Sequence, residues 1–220
     1  MELIKTGDGS HSIFVPELNE HYHSTHGAIN EAVHVFIQNG LLFKSDLPEI
    51  NILEIGFGTG LNALLTYLKA EELQQKVDYT TLENNPVSTS LIGQLNYTTQ
   101  LQLNSLQKNI YAQMHDCVWE KSIDLSPFYS FKKLPISLVN STFNNYFDVI
   151  YFDAFAPEKQ PEMWTDSVFQ KMYNALLPQG TLVTYCAKGV VKRTLKSIGF
   201  HVESLPGPPG KREMIRAIKC

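Results

Sequence analysis

Glu49-Ile50-Asn51-Ile52-Leu53-Glu54-Ile55-Gly56-Phe57-Gly58-Thr59-Gly60-Leu61-Asn62 is the stretch that decides how this chain folds. Its first seven residues are an apolar-rich run of strand length that ends in glycines, which reads as a buried strand. Directly after the glycines, Leu61, Leu64, Leu65 and Leu68 recur at i, i+3, i+4 and i+7, so one helical face is apolar while Asn62, Thr66 and Lys69 look elsewhere. Strand, glycine turn and helix in direct succession begin an α/β alternation. Glycines at such a turn let backbone N–H groups approach a ligand at the positive end of a helix. Their spacing selects the ligand. A dinucleotide fingerprint needs its third glycine where Leu61 stands, and here it falls one residue earlier, at Gly60. Glu54 nearby would also serve a pyrophosphate poorly.

Working outward, Val77 to Leu82 reads as a second strand that ends at Glu83, followed by turn and helix-start chemistry in Asn84-Asn85-Pro86. Ser88 to Leu106 is polar but helix-compatible, and Tyr111 to Tyr129 carries no assignable period. Lys133 to Val139 is expected as a short strand and Phe147 to Phe152 as a strong one. Asp166 to Leu177 reads as a helix with Val168, Phe169, Met172 and Leu176 inward, stopped by Pro178-Gln179-Gly180. Thr181 to Cys186 is a strand by its β-branched and aromatic content, and Gly189 to Ile198 a helix ended by Gly199. His201 to Leu205 and Met214 to Lys219 flank Pro206-Gly207-Pro208-Pro209-Gly210 as an antiparallel hairpin. The expected fold is α/β, an open, mostly parallel sheet with an antiparallel last strand and ligands at the strands' carboxyl ends. Residues 1–40 stand outside the alternation as a small N-terminal appendage: β-like pieces at Leu3-Ile4-Lys5 and Ser12-Ile13-Phe14-Val15, then a helix near Asn30 to Gln38. Residues 41–220 form the main domain.

Composition narrows the classes. The chain has 220 residues, 43% of them hydrophobic and 18% charged, with a net charge of −4, as in ordinary globular proteins. No run of about 18 apolar residues exists to span a bilayer, and Glu2, Lys5 and Asp8 occupy the place of a signal peptide's apolar stretch, so a cytoplasmic protein is expected. Cys117, Cys186 and Cys220 are too few and scattered for a disulfide framework and read as core thiols. A negative total argues against a nucleic-acid partner, but the charge is uneven. Eight of the Lys and Arg residues and only two acids lie in residues 181–220, leaving that end at +6 and residues 1–180 at −10. A local basic field can steer a polyanion whatever the total.

Gly-x-Gly-x-Gly preceded by an acid resembles the first motif of class I S-adenosylmethionine-dependent methyltransferases, in which the acid faces the methionine ammonium. Glu83, at the end of the second strand, can accept both hydroxyls of a ribose. Asn140, at the end of the expected third strand, stands where many such enzymes hold the adenine amino group, and its oxygen can accept that bond. Asp153, in Tyr151-Phe152-Asp153-Ala154-Phe155-Ala156-Pro157, ends the most buried-looking strand where the ligand would sit. It either orients an ammonium and takes its proton, or fixes the loop before Pro157 as an Asx turn.

Asp153-Ala154-Phe155-Ala156-Pro157-Glu158-Lys159-Gln160-Pro161-Glu162-Met163-Trp164 resembles the D-x-F-A-P-x-x-x-P-x-M-W signature of the tRNA 5-aminomethyl-2-thiouridine methyltransferases, one half of a bifunctional wobble-uridine enzyme. The likeness extends to Glu54 through Asn62, to Lys188-Gly189-Val190-Val191-Lys192-Arg193 and to Gly210-Lys211-Arg212-Glu213-Met214. It implies S-adenosylmethionine as cofactor, held by Glu54, Gly56, Phe57, Gly58, Gly60, Asn62, Glu83 and Asn140. The reaction it implies is methylation of the aminomethyl nitrogen on a tRNA wobble uridine, giving 5-methylaminomethyl-2-thiouridine, with Asp153 as general base. The flavin-dependent oxidase half is not in this chain, so the resemblance extends only to the methylating step, and a separate enzyme is expected to supply the aminomethyl group.

Tyr22, Phe155 and Trp164 can stack on a flipped uridine, though each is also an ordinary core residue. Lys188, Lys192 and Lys196 share one helical face with Arg193 close by, and Lys211 and Arg212 lie on the hairpin loop. Together they are a footprint for an anticodon stem-loop or simply solvated surface. His21, His23 and His26 fall within six residues but lack the carboxylates or thiols of a metal site, and methyl transfer from a sulfonium needs no metal. Lining of the substrate side of the pocket is the expected role of that segment, with a plain loop as the alternative. His115-Asp116 reads as surface polarity. Two other functions remain open: a polyamine aminopropyltransferase, which should have a more acidic pocket and no basic C-terminal stripe, and a non-catalytic RNA-binding scaffold.

Overall fold

The computed structural model describes residues 1–136 and 142–220. Eight strands form the central sheet in the order β10-β11-β9-β8-β4-β5-β7-β6. At its centre β4 (Glu49–Ile55) runs parallel to β5 (Lys76–Leu82) and to β8 (Phe147–Phe152). Outward on either side, β7 (Tyr129–Leu134) continues parallel to β5 and β9 (Leu176–Thr184) parallel to β8. The hairpin of β10 (Phe200–Pro206) and β11 (Glu213–Lys219) inserts β11 antiparallel between β9 and β10, and β6 (Ile123–Ser126) closes the other edge against β7.

The period-two alternation of the strands builds a core on each face. Ile50 and Ile52 of β4 join Tyr79, Phe131 and Tyr151 beneath α2 (Leu61–Leu73) and α5 (Ser105–Asp116). Leu53 and Ile55 point the other way, with Leu82, Ile150 and Phe152, onto α6 (Asp166–Ala175) and α7 (Gly189–Ile198). At about 1.5–3 kcal/mol per fully buried large apolar side chain, these two layers supply most of the gross drive to fold.

The N-terminal segment forms its own antiparallel sheet of β1 (Glu2–Lys5), β2 (His11–Val15) and β3 (Glu20–His21). Helix α1 (Ala28–Ala32) follows and widens into a further helical stretch over Val33–Gln38. Ile13, Ala28, Ala32, Val35 and Phe36 share one hydrophobic cluster with Leu61 and Leu64. His34 Nε2 lies 2.8 Å from the carbonyl oxygen of Pro206, tying this segment to the hairpin loop.

Two expected boundaries change, and two loosely assigned stretches gain definite elements. The strand placed at Lys133 to Val139 is β7 and ends at Leu134. Its interior-facing Lys133 is 2% exposed, which breaks the apolar alternation that the sequence would otherwise display. The helix beginning at Asp166 stops at Ala175, because Leu176 already pairs with Phe147 and so opens β9 rather than closing the helix. The unassigned stretch holds the end of α5 and strand β6. Within Ser88 to Leu106 lie two one-turn helices, α3 (Thr89–Ile92) and α4 (Tyr97–Gln100), before α5 opens at Ser105. Asn140 lies outside the described residues. Among the described residues no helix is long and apolar enough to cross a membrane.

Candidate active site

At the carboxyl ends of β4, β5 and β8 lies a cavity of about 530 Å³. One half is lined by Ile55 through Thr59, Leu61, Asn62 and Leu82 through Asn85; the other by residues 20–26, Glu31, Phe155, Tyr185 and Lys211, with Asp153 also on the wall.

The glycine turn is built for close approach. Gly56 N–H donates to the Leu82 carbonyl at 3.0 Å, fixing the turn to the end of β5. Gly58 has φ +51°, and a Cβ there would stand 2.9 Å from the Tyr22 ring. Gly60, at φ +72°, precedes α2, and a Cβ on it would meet His115 and Phe57 at 2.9 Å each. Thr59 is braced from behind: its carbonyl accepts the Tyr111 hydroxyl at 2.7 Å, and its hydroxyl lies 3.4 Å from both the Tyr97 hydroxyl and His23 Nε2.

Two carboxylates flank the turn. Glu83 Oε2 accepts Gly58 N–H at 3.0 Å and Oε1 accepts Asn85 N–H at 2.7 Å, so both oxygens are oriented while each keeps a free lone pair. Glu54 is 0% exposed and is not on the cavity wall; it lies one residue behind Ile55, and neither of its oxygens has a hydrogen-bond partner among the described residues. Burial pushes its carboxyl well above the ordinary value, and the nearby charge of Asp153 adds to this while Thr81, Tyr79 and Asn62 partly offset it. A raised folded-state value means that the proton stabilises the fold. That contribution is complete below the unfolded value of 4.5 and is lost as pH rises above it. The melting temperature of the cofactor-free protein is therefore expected to fall, as pH rises above 4.5 through the neutral range, more steeply than that of Glu54→Gln. A constant difference between the two proteins across that range would show that Glu54 ionises normally.

Asp153 directly follows β8, and its N–H donates to the Ile55 carbonyl at 3.2 Å. Asn62, in the first turn of α2, donates Nδ2 to Asp153 Oδ2 at 2.9 Å, so the residue expected at the cofactor also orients the expected base. Burial pushes Asp153 up to about 7; Asn62 and the Lys211 charge oppose this and Glu31 adds to it. A carboxyl group poised near neutrality inside a cavity suits proton transfer.

The expected aromatic residues separate. Tyr22 and Phe155 line the cavity and meet edge to face at 5.1 Å between centroids. Burial, and secondarily the Glu83 carboxylate, pushes the Tyr22 phenol up to about 12. Trp164 is corrected: it is 9% exposed, packs on Phe152 and Phe169, and donates its indole N–H to the Phe155 carbonyl at 2.7 Å. It braces the loop carrying Phe155 and does not face the cavity.

The basic residues also divide. Lys188 pairs with Glu158, Lys192 with Glu213 and Lys211 with Glu31, which leaves the basic end less positive than its sequence count. Lys188, Lys211 and Arg212 line a second cavity of about 410 Å³ that shares Ala156, Tyr185 and Lys211 with the first. Arg193, Lys196 and Arg212 are exposed and have no carboxylate partner among the described residues.

His21, His23 and His26 all line the main cavity, and among the described residues no cluster of His, Cys, Asp or Glu is arranged to hold a metal. His23 is buried against Ser12 and Thr59, and burial lowers its value to about 4, so it is neutral at pH 7. His115 is not surface polarity. It packs between Phe57 and Tyr111, and burial, helped by the charge of Lys133, lowers it to about 4. Glu31 lines the cavity without having been singled out in the sequence, and so do Gln160 and Met163, which were quoted within the signature but given no role. The signal of Glu31 is spatial, since it lies on a helix remote from every motif.

S-Adenosylmethionine fits these residues. The glycine turn leaves a cradle that side chains at Gly56 and Gly58 would crowd, and Glu83 beside it offers oriented lone pairs for a ribose. Residues 130–220 match the family described as S-adenosyl-L-methionine-dependent methyltransferase. The fold and the glycine turn are those of the class I S-adenosylmethionine-dependent methyltransferases, and the match over residues 130–220 agrees with them. More particularly, the chain is similar to the tRNA 5-methylaminomethyl-2-thiouridine biosynthesis bifunctional protein MnmC of Cupriavidus necator, 30% identical over 91% of this chain and 32% of that protein. The Pseudoalteromonas translucida protein of the same name is 28% identical over 90% of this chain and 33% of its own length. The chain thus spans about a third of the length of these curated relatives. The crystal structure of MnmC2 from Aquifex aeolicus superposes with a TM-score of 0.81 at 25% identity, covering 98% of this chain and 69% of that one. Spermidine synthase from Thermotoga maritima shares the fold alone, with a TM-score of 0.53 at 15% identity over 100% of this chain and 72% of that one.

Proposed function

We propose that this protein methylates the exocyclic aminomethyl nitrogen of a wobble 2-thiouridine in tRNA, giving 5-methylaminomethyl-2-thiouridine in the cytoplasm, with the aminomethyl group supplied by a separate enzyme. The observation that carries the proposal is the Asp153 carboxylate, oriented by Asn62 in one cavity with the glycine turn. When bound, S-adenosylmethionine supplies an electrophilic methyl group. Asp153 holds the substrate ammonium and accepts its proton, leaving a lone pair on nitrogen for the methyl carbon. Acids at Glu20, Glu31, Glu83, Asp153 and Glu162 around the cavity suit cationic reactants, and Tyr22 and Phe155 offer faces for a base. Similarity to MnmC supports the choice of acceptor.

An acid-rich cavity also favours a second reading, aminopropyl transfer to a polyamine. Incubation with labelled S-adenosylmethionine and either undermodified tRNA or its decarboxylated analogue and putrescine separates the two. Methyl transfer to tRNA is expected, and transfer to putrescine alone would overturn the proposal. Absence of cofactor binding by calorimetry would favour a scaffold. If Arg193, Lys196 and Arg212 contact phosphates, tRNA affinity should fall with a log–log salt slope of about −2 to −3 while cofactor affinity stays nearly constant. A flat tRNA response would remove these cations from the interface.

A further inference from the structure

One wall of the cavity joins parts of the chain far apart in sequence. Glu31, on α1, is 6% exposed; its Oε2 accepts the Ser24 N–H at 2.7 Å and its Oε1 pairs with Lys211 Nζ. Lys211 comes from the loop between β10 and β11, and its ammonium stands 3.9 Å from the centroid of the Tyr185 ring. The Tyr185 hydroxyl donates to the carbonyl of Ala154, the residue after Asp153, at 2.9 Å. Lys211 is the one lysine or arginine among the described residues lining the main cavity, against five acids. Its place on the inner wall, its carboxylate anchor and its aromatic platform give a fixed position that a mobile phosphate-binding lysine would lack.

We propose that Lys211, seated by Glu31 against Tyr185, is a positioning residue that sets the proton affinity of Asp153, and that Glu31 tunes the same carboxyl in the opposite direction. The inference rests on the reading of Asp153 as the base. A charge near a buried carboxyl acts through a medium far less screening than water, so a cation favours the carboxylate and an anion the acid. Both influences reach Asp153, with Lys211 lowering and Glu31 raising it, beside the larger effect of burial and the opposing Asn62 hydrogen bond. The other titratable groups facing this region are Glu54 and the Tyr185 phenol, both pushed well above their ordinary values by burial, and Glu20, His21, Tyr22, His23, His26, Glu83 and Glu162 on the cavity wall. None of these is substituted in the variants below, and because the Lys211 and Glu31 charges also act on His23, and Glu31 on Tyr185, the carboxyl signal of Asp153 itself is what is followed. A base works best with an affinity near the operating pH, and Lys211 and Glu31 move that of Asp153 in opposite directions.

The test is the ¹³C carboxyl titration of Asp153 in the cofactor-free protein, paired with the pH profile of kcat/KM for methyl transfer. Lys211→Met keeps the aliphatic stem and removes the charge. It is expected to move the Asp153 midpoint and the acid limb of kcat/KM to higher pH, with kcat/KM at pH 6 falling about tenfold for each pH unit moved. Glu31→Gln should move both to lower pH, and Lys211→Arg should restore the wild-type midpoint. Equal midpoints in wild type and both single variants, or movement of both variants in the same direction, would overturn the proposal. A raised KM for tRNA in Lys211→Met with an unmoved midpoint would do so too, assigning Lys211 to phosphate contact. Should the wild-type protein fail to methylate tRNA, the function proposed above fails, yet the carboxyl titration still decides whether Lys211 and Glu31 govern Asp153.

Discussion

Asp153→Asn is expected to lower the single-turnover rate of methyl transfer to undermodified tRNA by about 100- to 10,000-fold while leaving affinity for S-adenosylmethionine nearly unchanged. The substitution is isosteric, and the Asn oxygen can still accept from Asn62 Nδ2, which now meets Asp153 at 2.9 Å, so the loop should keep its shape. What is lost, under the proposed mechanism, is the negative charge that holds the ammonium and the site that takes its proton. An amine that stays protonated has no lone pair to offer, so the loss falls on the chemical step rather than on cofactor binding. Turnover equal to wild type would remove Asp153 from the mechanism and leave it the loop-fixing role that its sequence position also allows.

Glu83→Ala should act on the other half of the site. Its carboxylate accepts N–H groups from Gly58 and from Asn85, so it both shapes the glycine turn and faces the cavity. Hydrogen bonds to an ionised group are worth about 1.5–3 kcal/mol each, so losing the two that a ribose diol would donate should weaken S-adenosylmethionine binding by about 100-fold or more, while loss of the Gly58 and Asn85 bonds loosens the turn. Isothermal titration calorimetry measures this directly. An affinity within threefold of wild type would show that Glu83 is only a strand-end acid, its plainest reading from sequence. Asp153→Asn and Glu83→Ala should therefore separate cleanly, one in rate at saturating cofactor and the other in cofactor affinity.

The sequence made β4, its glycine turn and α2 legible because strand period, positive-φ glycines and helical period follow one another without interruption. The hairpin of β10 and β11 was equally clear from its Pro/Gly loop. Elsewhere the local signal was masked. Lys133 points into the interior, over the rings of Phe57 and Trp119 and onto the His115 carbonyl, so β7 lacked the alternation that marks a strand. Helix α5 was visible in principle: Asn104 and Gln107 form a capping box ahead of Ile110, Tyr111 and Met114. In the site, Asp153, Glu83 and the glycines stood out because strand ends are where ligands gather. Trp164 illustrates the opposite case, since an aromatic side chain beside a cavity-lining loop is as useful behind the loop as in front of it. Glu31 and Lys211 meet across 180 residues of chain, and only the folded structure brings them together.

Mass spectrometry of wobble nucleosides from cells lacking this protein tests the central claim most directly. Accumulation of 5-aminomethyl-2-thiouridine with loss of its methylated product is the expected result, restored by the wild-type protein but not by Asp153→Asn. A nucleoside profile identical to that of the parent cells would contradict it.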